Sequence, residues 1–117
     1  MNIGIDFNTK TTKAAILVSK SNINDYDFFE TKNILVFSHG NIFAGNEGFN
    51  RYLTEKDCMI YELEQIIEWN GLVIDKSQIS VEKCLSVIFS NLLNKIKART
   101  QIIEIDIICV AIPYDKF

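Results

Sequence analysis

The sequence predicts an α/β fold, a mixed sheet with helices packed against it. Three observations carry this. The chain opens on two short apolar segments, Ile3–Ile5 and Ala14–Val18, joined by a polar turn. From Ser80 to Ala98 apolar residues recur at helical spacing. The segment Ile105–Ile112 is almost continuously apolar, the pattern of a strand in a parallel sheet covered on both faces. The length of 117 residues leaves room for one domain, and a hydrophobic share of 48% sets the chain apart from disordered tails.

The elements follow in order. Met1–Asp6 and Thr11–Val18 form the first hairpin. Ser19–Lys32 is polar and reads as a loop or an irregular third strand, and alternation of Tyr26 and Phe28 with Asp25 and Asp27 favours a short edge strand. Asn33–Phe37 is a strand, His39-Gly40 a turn, and Ile42–Ala44 the return. The first hairpin and Asn33–Phe37 are expected in one sheet. Asn46–Leu53 follows Gly45 as a short helix. Met59–Trp69 is read as a second helix on Ile60, Leu63, Ile66 and Ile67, ended by Gly71 at the C′ position. Leu72–Ile74 is extended. Ser80 caps the third helix, whose apolar face is Leu85, Ile88, Phe89, Leu92, Leu93 and Ile96. This stripe is core packing. Ile105–Ile112 is the last strand, parallel to the first, and Pro113 ends it.

Composition excludes several classes. The net charge is −3 and no block of Lys or Arg stands out, which argues against nucleic acid as a partner. Lys95, Lys97 and Arg99 sit near a helix end, where they complement the helix dipole. No segment is long and apolar enough to span a membrane, and no secretory signal opens the chain. Cys58, Cys84 and Cys109 are widely spaced and the chain has one histidine, His39, so a zinc site is not expected. Cys84 and Cys109 lie in apolar patterns and read as small core residues. A reducing cytoplasm fits this cysteine usage. His39 reads as a turn residue, since no acid or nucleophile is placed beside it.

The first hairpin carries the chemistry. A strand delivers Asp6 to a turn of Asn8, Thr9, Lys10 and Thr11. Backbone N–H groups in such a turn can cradle an anion, and an acid beside it can hold Mg²⁺ through its waters. The same residues also make an ordinary hairpin with a polar turn.

Ile3-Gly4-Ile5-Asp6-Phe7-Asn8-Thr9-Lys10-Thr11 resembles the first phosphate motif of the actin-like ATPase superfamily. Two later segments resemble its DnaK-type heat-shock chaperone branch. These are Val36 to Gly48, similar to a short hairpin followed by Gly and a helix, and Ser80 to Ala98 with Ile107 to Pro113, similar to a long helix and a strand ending in Val-Pro. The resemblance implies a ribonuclease-H-like mixed sheet, with residues 1–117 forming a single partial domain similar to the start of the first lobe. In the family the second phosphate loop, the hinge strands and the adenosine loop come later.

ATP and Mg²⁺ are the cofactors the resemblance implies. Carried over by position, Asp6 is the metal-side acid and Thr9 a phosphate contact, with Asn8, Lys10 and Thr11 beside them. Asn8 stands where the motif has glycine, and asparagine suits a positive φ if the turn needs one. Lys10 replaces a threonine; it either neutralises phosphate or points to solvent. Glu64, in Glu64-Gln65-Ile66-Ile67, stands where the family has a catalytic lysine. An acid cannot stabilise a transferring phosphoryl group.

The reading is a truncated or degenerate DnaK-like ATPase fragment with a partial phosphate hairpin and no catalysis alone. Alternatives are a sugar-kinase-like lobe, since Thr9-Lys10-Thr11-Thr12-Lys13-Ala14-Ala15 also resembles a turn of that family, and a stand-alone protein-interaction domain. The apolar last strand needs cover near Ile107, Cys109 and Ala111, from a second copy, another protein or the remainder of a longer chain; the alternative is that the third helix and Met59–Trp69 already cover both its faces.

Overall fold

Strand–strand pairing sorts the chain into two main layers of β-structure that share one core. The structure, a computed structural model, describes residues 1–20, 23–101 and 104–112. The elements are β1 (Asn2–Phe7), β2 (Thr11–Lys20), β3 (Ile23–Lys32), β4 (Ile34–Ser38), β5 (Asn41–Ala44), α1 (Gly45–Thr54), β6 (Met59–Glu62), α2 (Leu63–Glu68), β7 (Leu72–Ile74), β8 (Ser77–Ile79), α3 (Val81–Thr100) and β9 (Ile107–Ala111). The larger sheet has the order β3-β2-β1-β9, with β9 parallel to β1 and the other pairs antiparallel. The mixed α/β architecture expected of the sequence is present.

Burial along β1 alternates strictly. Ile3, Ile5 and Phe7 point inward, while Asn2, Gly4 and Asp6 point out. Ala14 and Ile16 of β2 join the inward face. Against it lies α3, which buries Cys84, Ile88, Leu92 and Ile96 at four-residue steps, flanked by the partly buried Leu85, Phe89 and Leu93. Phe7 stacks on Phe89 at 4.8 Å between ring centroids. Burial pushes the Cys84 thiol pKa up. Ser80 caps α3 as expected, its Oγ accepting from the Lys83 N–H at 3.1 Å. Arg99 of the last turn is 3.2 Å from Asp27 and lies over the ring of Phe29, tying the helix to β3.

The structure corrects four expectations. Asn33–Phe37 does not join the first sheet. Its strand, β4, is the centre of a separate sheet, β5-β4-β6. After Lys32 one further bond, from the Asn33 N–H to the Lys10 carbonyl, ties the chain to the hairpin, and the Asn33 carbonyl accepts from the Leu63 N–H instead, both at 2.9 Å. All five β4 residues are buried, so the strand covered on both faces is this one.

β9 is the second correction. It pairs with β1 in parallel, yet it is the sheet's edge and every residue in it is exposed, Ile107 to 60%. The α3 layer packs on Ile3, Ile5 and Ile16, and its core does not take in Ile108 or Val110. Cys109 is accordingly exposed and not a core residue. Pro113 lies outside the described residues.

Third, Met59–Trp69 is not one helix. Met59–Glu62 pairs with β4, Ile60 opposite Val36, and only then does α2 begin. A capping box sets that boundary: the Glu62 N–H donates to Gln65 Oε1 at 3.0 Å, and the Glu62 side chain accepts from the Gln65 N–H. Fourth, Gly71 is one place beyond C′. Asn70 takes the left-handed position at φ 55°, and Gly71 donates to the Ile66 carbonyl at 2.9 Å, a Schellman ending. The alternation in the third segment locates β3 as an edge strand, but its Phe28 is 70% exposed on the outer face while Phe29 turns inward.

Two tight turns and a clasp complete the frame. His39 and Gly40 both have positive φ, the signature of a two-residue type I′ turn, as have Asp75 and Lys76 between β7 and β8. His39 is therefore a turn residue. Asn46 of α1 accepts from the Lys32 N–H and donates to the Glu30 carbonyl, so the helix start is stitched to the end of β3. The end of α1 is held by Glu55, which accepts from Ser38 Oγ at 2.7 Å and Arg51 at 2.8 Å. The Ser38 hydroxyl first, and Arg51 next, hold the Glu55 carboxyl below the usual carboxylate range. Among the described residues no helix is long and apolar enough to cross a membrane.

Two outcomes follow for stability. Gly45 has φ +66°, and a Cβ there would run into Thr31 Oγ1 and stand 3.0 Å from Asn91 Oδ1, whereas Gly40 at φ +81° has open space around it. Gly40→Ala is expected to cost about 1–2 kcal/mol, the left-handed penalty alone. Gly45→Ala adds an overpacking cost of about 1–3 kcal/mol. Urea unfolding of both variants measures the gap, and equal losses would contradict the crowding at Gly45. The second outcome concerns pH. Because the folded-state pKa of Glu55 is lowered, its contribution is complete above the unfolded-state value and is lost as pH falls through the folded one. The stability difference between wild type and Ser38→Ala should be present at neutral pH and shrink in acid. Urea titrations at the two pH values read it.

Candidate functional site

The turn between β1 and β2 is held from below by one buried side chain. Asn33 is 0% exposed. Its Nδ2 donates to the Asn8 carbonyl, its Oδ1 accepts from Thr12 Oγ1 at 2.6 Å, and its backbone bonds reach Lys10 and Leu63. The Asn8 N–H closes the turn on the Thr11 carbonyl at 3.1 Å. Residues 8–10 are absent from the left-handed positions among the described residues, so the glycine of the family motif is not needed here for its φ. Asparagine at position 8 does something else. Its Oδ1 accepts from the Thr9 N–H at 2.7 Å and from Thr9 Oγ1 at 3.4 Å. Thr9 is 7% exposed. The N–H and hydroxyl expected to face a phosphate are both turned onto the neighbouring carboxamide.

The structure divides the candidate residues between two sides of the hairpin. Thr9, Lys10 and Thr11 line a hollow of about 440 Å³ together with Lys32, Asn33, Glu62 and Glu64. Asp6 points to the outer face of the sheet. In register it stands opposite Lys13 and beside Ala111, and it lines a shallow apolar depression with Gly4, Ala15, Phe28 and Cys109. Asn8 faces neither, being turned onto Thr9. His39 sits at the tip of the β4–β5 hairpin.

Charge in the hairpin hollow is balanced, with Lys10 and Lys32 against Glu62 and Glu64. Glu64 also lines a smaller depression beside Thr9 with Ile67 and Glu68. The first turn of α2 therefore brings an acid to the hairpin. Among the described residues no three His, Cys, Asp or Glu side chains lie close enough together to hold a metal ion. As folded, this donor set does not fit the triphosphate of a nucleoside triphosphate. The Thr9 donors are spent, the hollow carries no excess positive charge, and Asp6 lines a different depression from Thr9.

A solved structure of a non-polymerising mutant of MamK, an actin-like ATPase, bound to AMPPNP superposes on 96% of this chain with a TM-score of 0.53 at 15% sequence identity. The chain has the fold of part of an actin-like ATPase. It spans 32% of the length of that MamK chain. No family model matches the sequence, and no curated protein matches it.

Sequence reasoning placed the hairpin and its acid, and it missed Asn33 and the role of Asn8. Asn33 read as the first residue of a strand. The available signal was a lone polar residue directly ahead of the apolar run Ile34–Phe37. The capping of Thr9 by Asn8 had no sequence signal beyond the departure from glycine. Asn33→Ala removes two side-chain hydrogen bonds and leaves the Asn8 carbonyl without that donor, and it should destabilise the chain by about 2–4 kcal/mol. Asn33→Asp keeps an acceptor for Thr12, loses the donor and buries a charge, so it should rescue none of this. Chemical denaturation of the two variants tests it; a loss below about 1 kcal/mol would show that Asn33 is replaceable.

Proposed function

We propose that the chain serves as a first-lobe unit of an actin-like nucleotide-binding fold, of the heat-shock-chaperone branch, and that alone it does not hydrolyse ATP. The observation that carries this is the state of the hairpin, with its Thr9 donors taken up by Asn8 and an acid, Glu64, beside it. Phosphoryl transfer needs positive charge and donors on several sides of the phosphate. This chain supplies one side, and the charges lining it cancel. The chaperone branch over a sugar-kinase lobe is supported by the β4–β5 hairpin followed directly by Gly45 and α1, in the order the resemblance implies. In MamK, AMPPNP is bound by a chain about three times as long. The free thiols of Cys58, Cys84 and Cys109 support a reducing compartment such as the cytoplasm. In a steady-state assay with Mg²⁺-ATP the purified chain should show no turnover above buffer. Turnover that survives repurification and disappears in Asp6→Ala would overturn the proposal.

A second reading, a lobe completed by a protein contact, is favoured by β9. Its outer edge has no strand beside it among the described residues. It exposes Ile107 and Cys109 on the outer face, a surface that Gly4, Ala15 and Phe28 continue, and Ile108 and Val110 on the inner face beside Ile3 and Ile5. Apolar area left in water costs about 25 cal/mol per Å², and an unpaired edge invites a further strand. The partner is a strand laid along β9, from a second copy or from another protein. Sedimentation at micromolar concentration should show association or be accompanied by binding of a hydrophobic dye. A monomer that binds no dye would remove this reading.

A further inference from the structure

We infer that the Asn8 carboxamide is a built-in stand-in for an anion, and that this one side chain keeps the hairpin from taking a phosphate group. The inference rests on the phosphate-hairpin reading above and goes further by naming the residue that closes the site.

The geometry is specific. Oδ1 of Asn8 accepts from both donors of Thr9, the backbone N–H at 2.7 Å and the hydroxyl at 3.4 Å. A phosphate oxygen entering the same turn would need those two donors. An amide oxygen carries partial negative charge and two lone pairs, so it satisfies them as an anion would. The rest of the turn does not depend on it. The Asn8 backbone is held independently, its carbonyl by Asn33 and its N–H by Thr11. Its φ is not left-handed, so the position does not depend on an asparagine for its conformation. The carboxamide is thus removable without dismantling the hairpin. Lys10 and Lys32 line the adjoining hollow and could meet an anion once the Thr9 donors are released, while Glu62 and Glu64 limit how tightly it is held.

The test is isothermal titration of the folded chain with sodium tripolyphosphate, comparing wild type, Asn8→Gly and Asn8→Ala. Asn8→Ala removes the carboxamide without adding backbone freedom, and circular dichroism establishes that each variant is folded. Both variants should bind tripolyphosphate about tenfold more tightly than wild type, the equivalent of one hydrogen bond no longer displaced. The Thr9 amide resonance should move on titration in the variants and hardly in wild type. Asn8→Asp keeps the acceptor and adds negative charge, and it should bind no better than wild type. If wild type and both small variants bind equally, with equal movement of Thr9, the stand-in role is wrong and the phosphate hairpin remains. If folded Asn8→Gly and Asn8→Ala bind nothing at millimolar tripolyphosphate, both the inference and the phosphate-hairpin reading fail.

Discussion

Asn33 is the residue on which the rest of this structure depends. Four of its polar groups bond to four different residues, and those residues belong to two separate pieces of chain, the hairpin and the start of α2. Nδ2 and the backbone N–H hold the Asn8 and Lys10 carbonyls at the hairpin turn, Oδ1 takes the Thr12 hydroxyl at the start of β2, and the carbonyl takes the first N–H of α2. A fully buried amide is tolerable only when its groups are paired, and the pairing is what makes it directional. One residue, through its side chain and its backbone together, thereby joins the start of β4 to the hairpin turn and to α2.

The consequence is a division of labour between two sheets. β4 leaves the larger sheet at Asn33 and becomes the buried centre of the smaller one, with β5 and β6 on its two edges. That move brings Leu35 and Phe37 into the same core as Ile3, Ile5 and Ile16, and closes it with α2 and α3. It also carries the first turn of α2 to the hairpin, so Glu64 and Thr9 line the same depression. The larger sheet is left with a single covered face. Phe28, Gly4 and Cys109 form part of a bare outer face, and β9 ends the sheet as an exposed apolar edge.

The hairpin itself combines a fold of the actin-like kind with a local chemistry turned inward. Its strands bring Asp6 to one face of the sheet and Thr9 to the turn. The donors, however, are satisfied within the turn, and charges in the adjoining hollow cancel. Binding a phosphate would mean exchanging existing hydrogen bonds for new ones, which yields little free energy compared with filling vacant donors.

What the sequence alone determined is whatever depends on short-range periodicity and local capping. The β1–β2 hairpin, the β4–β5 hairpin around His39-Gly40, the Ser80 cap and the four-residue rhythm of α3 were legible because each rests on neighbours within one turn or one strand pair. The parallel pairing of β9 with β1 was legible from the continuous apolar run. Tertiary structure decided the rest. Helical spacing in Met59–Trp69 cannot distinguish a helix from a strand that swings into one, because Ile60 finds its place only by pairing with Val36 across the second sheet. Apolarity in Ile105–Ile112 states what a strand can bury, not whether a layer is there to bury it. The roles of Asn33 and Asn8 come from contacts that composition and spacing do not encode. Asn33 meets partners about twenty-five residues before it and thirty after it, and Asn8 acts through the direction in which one carboxamide turns.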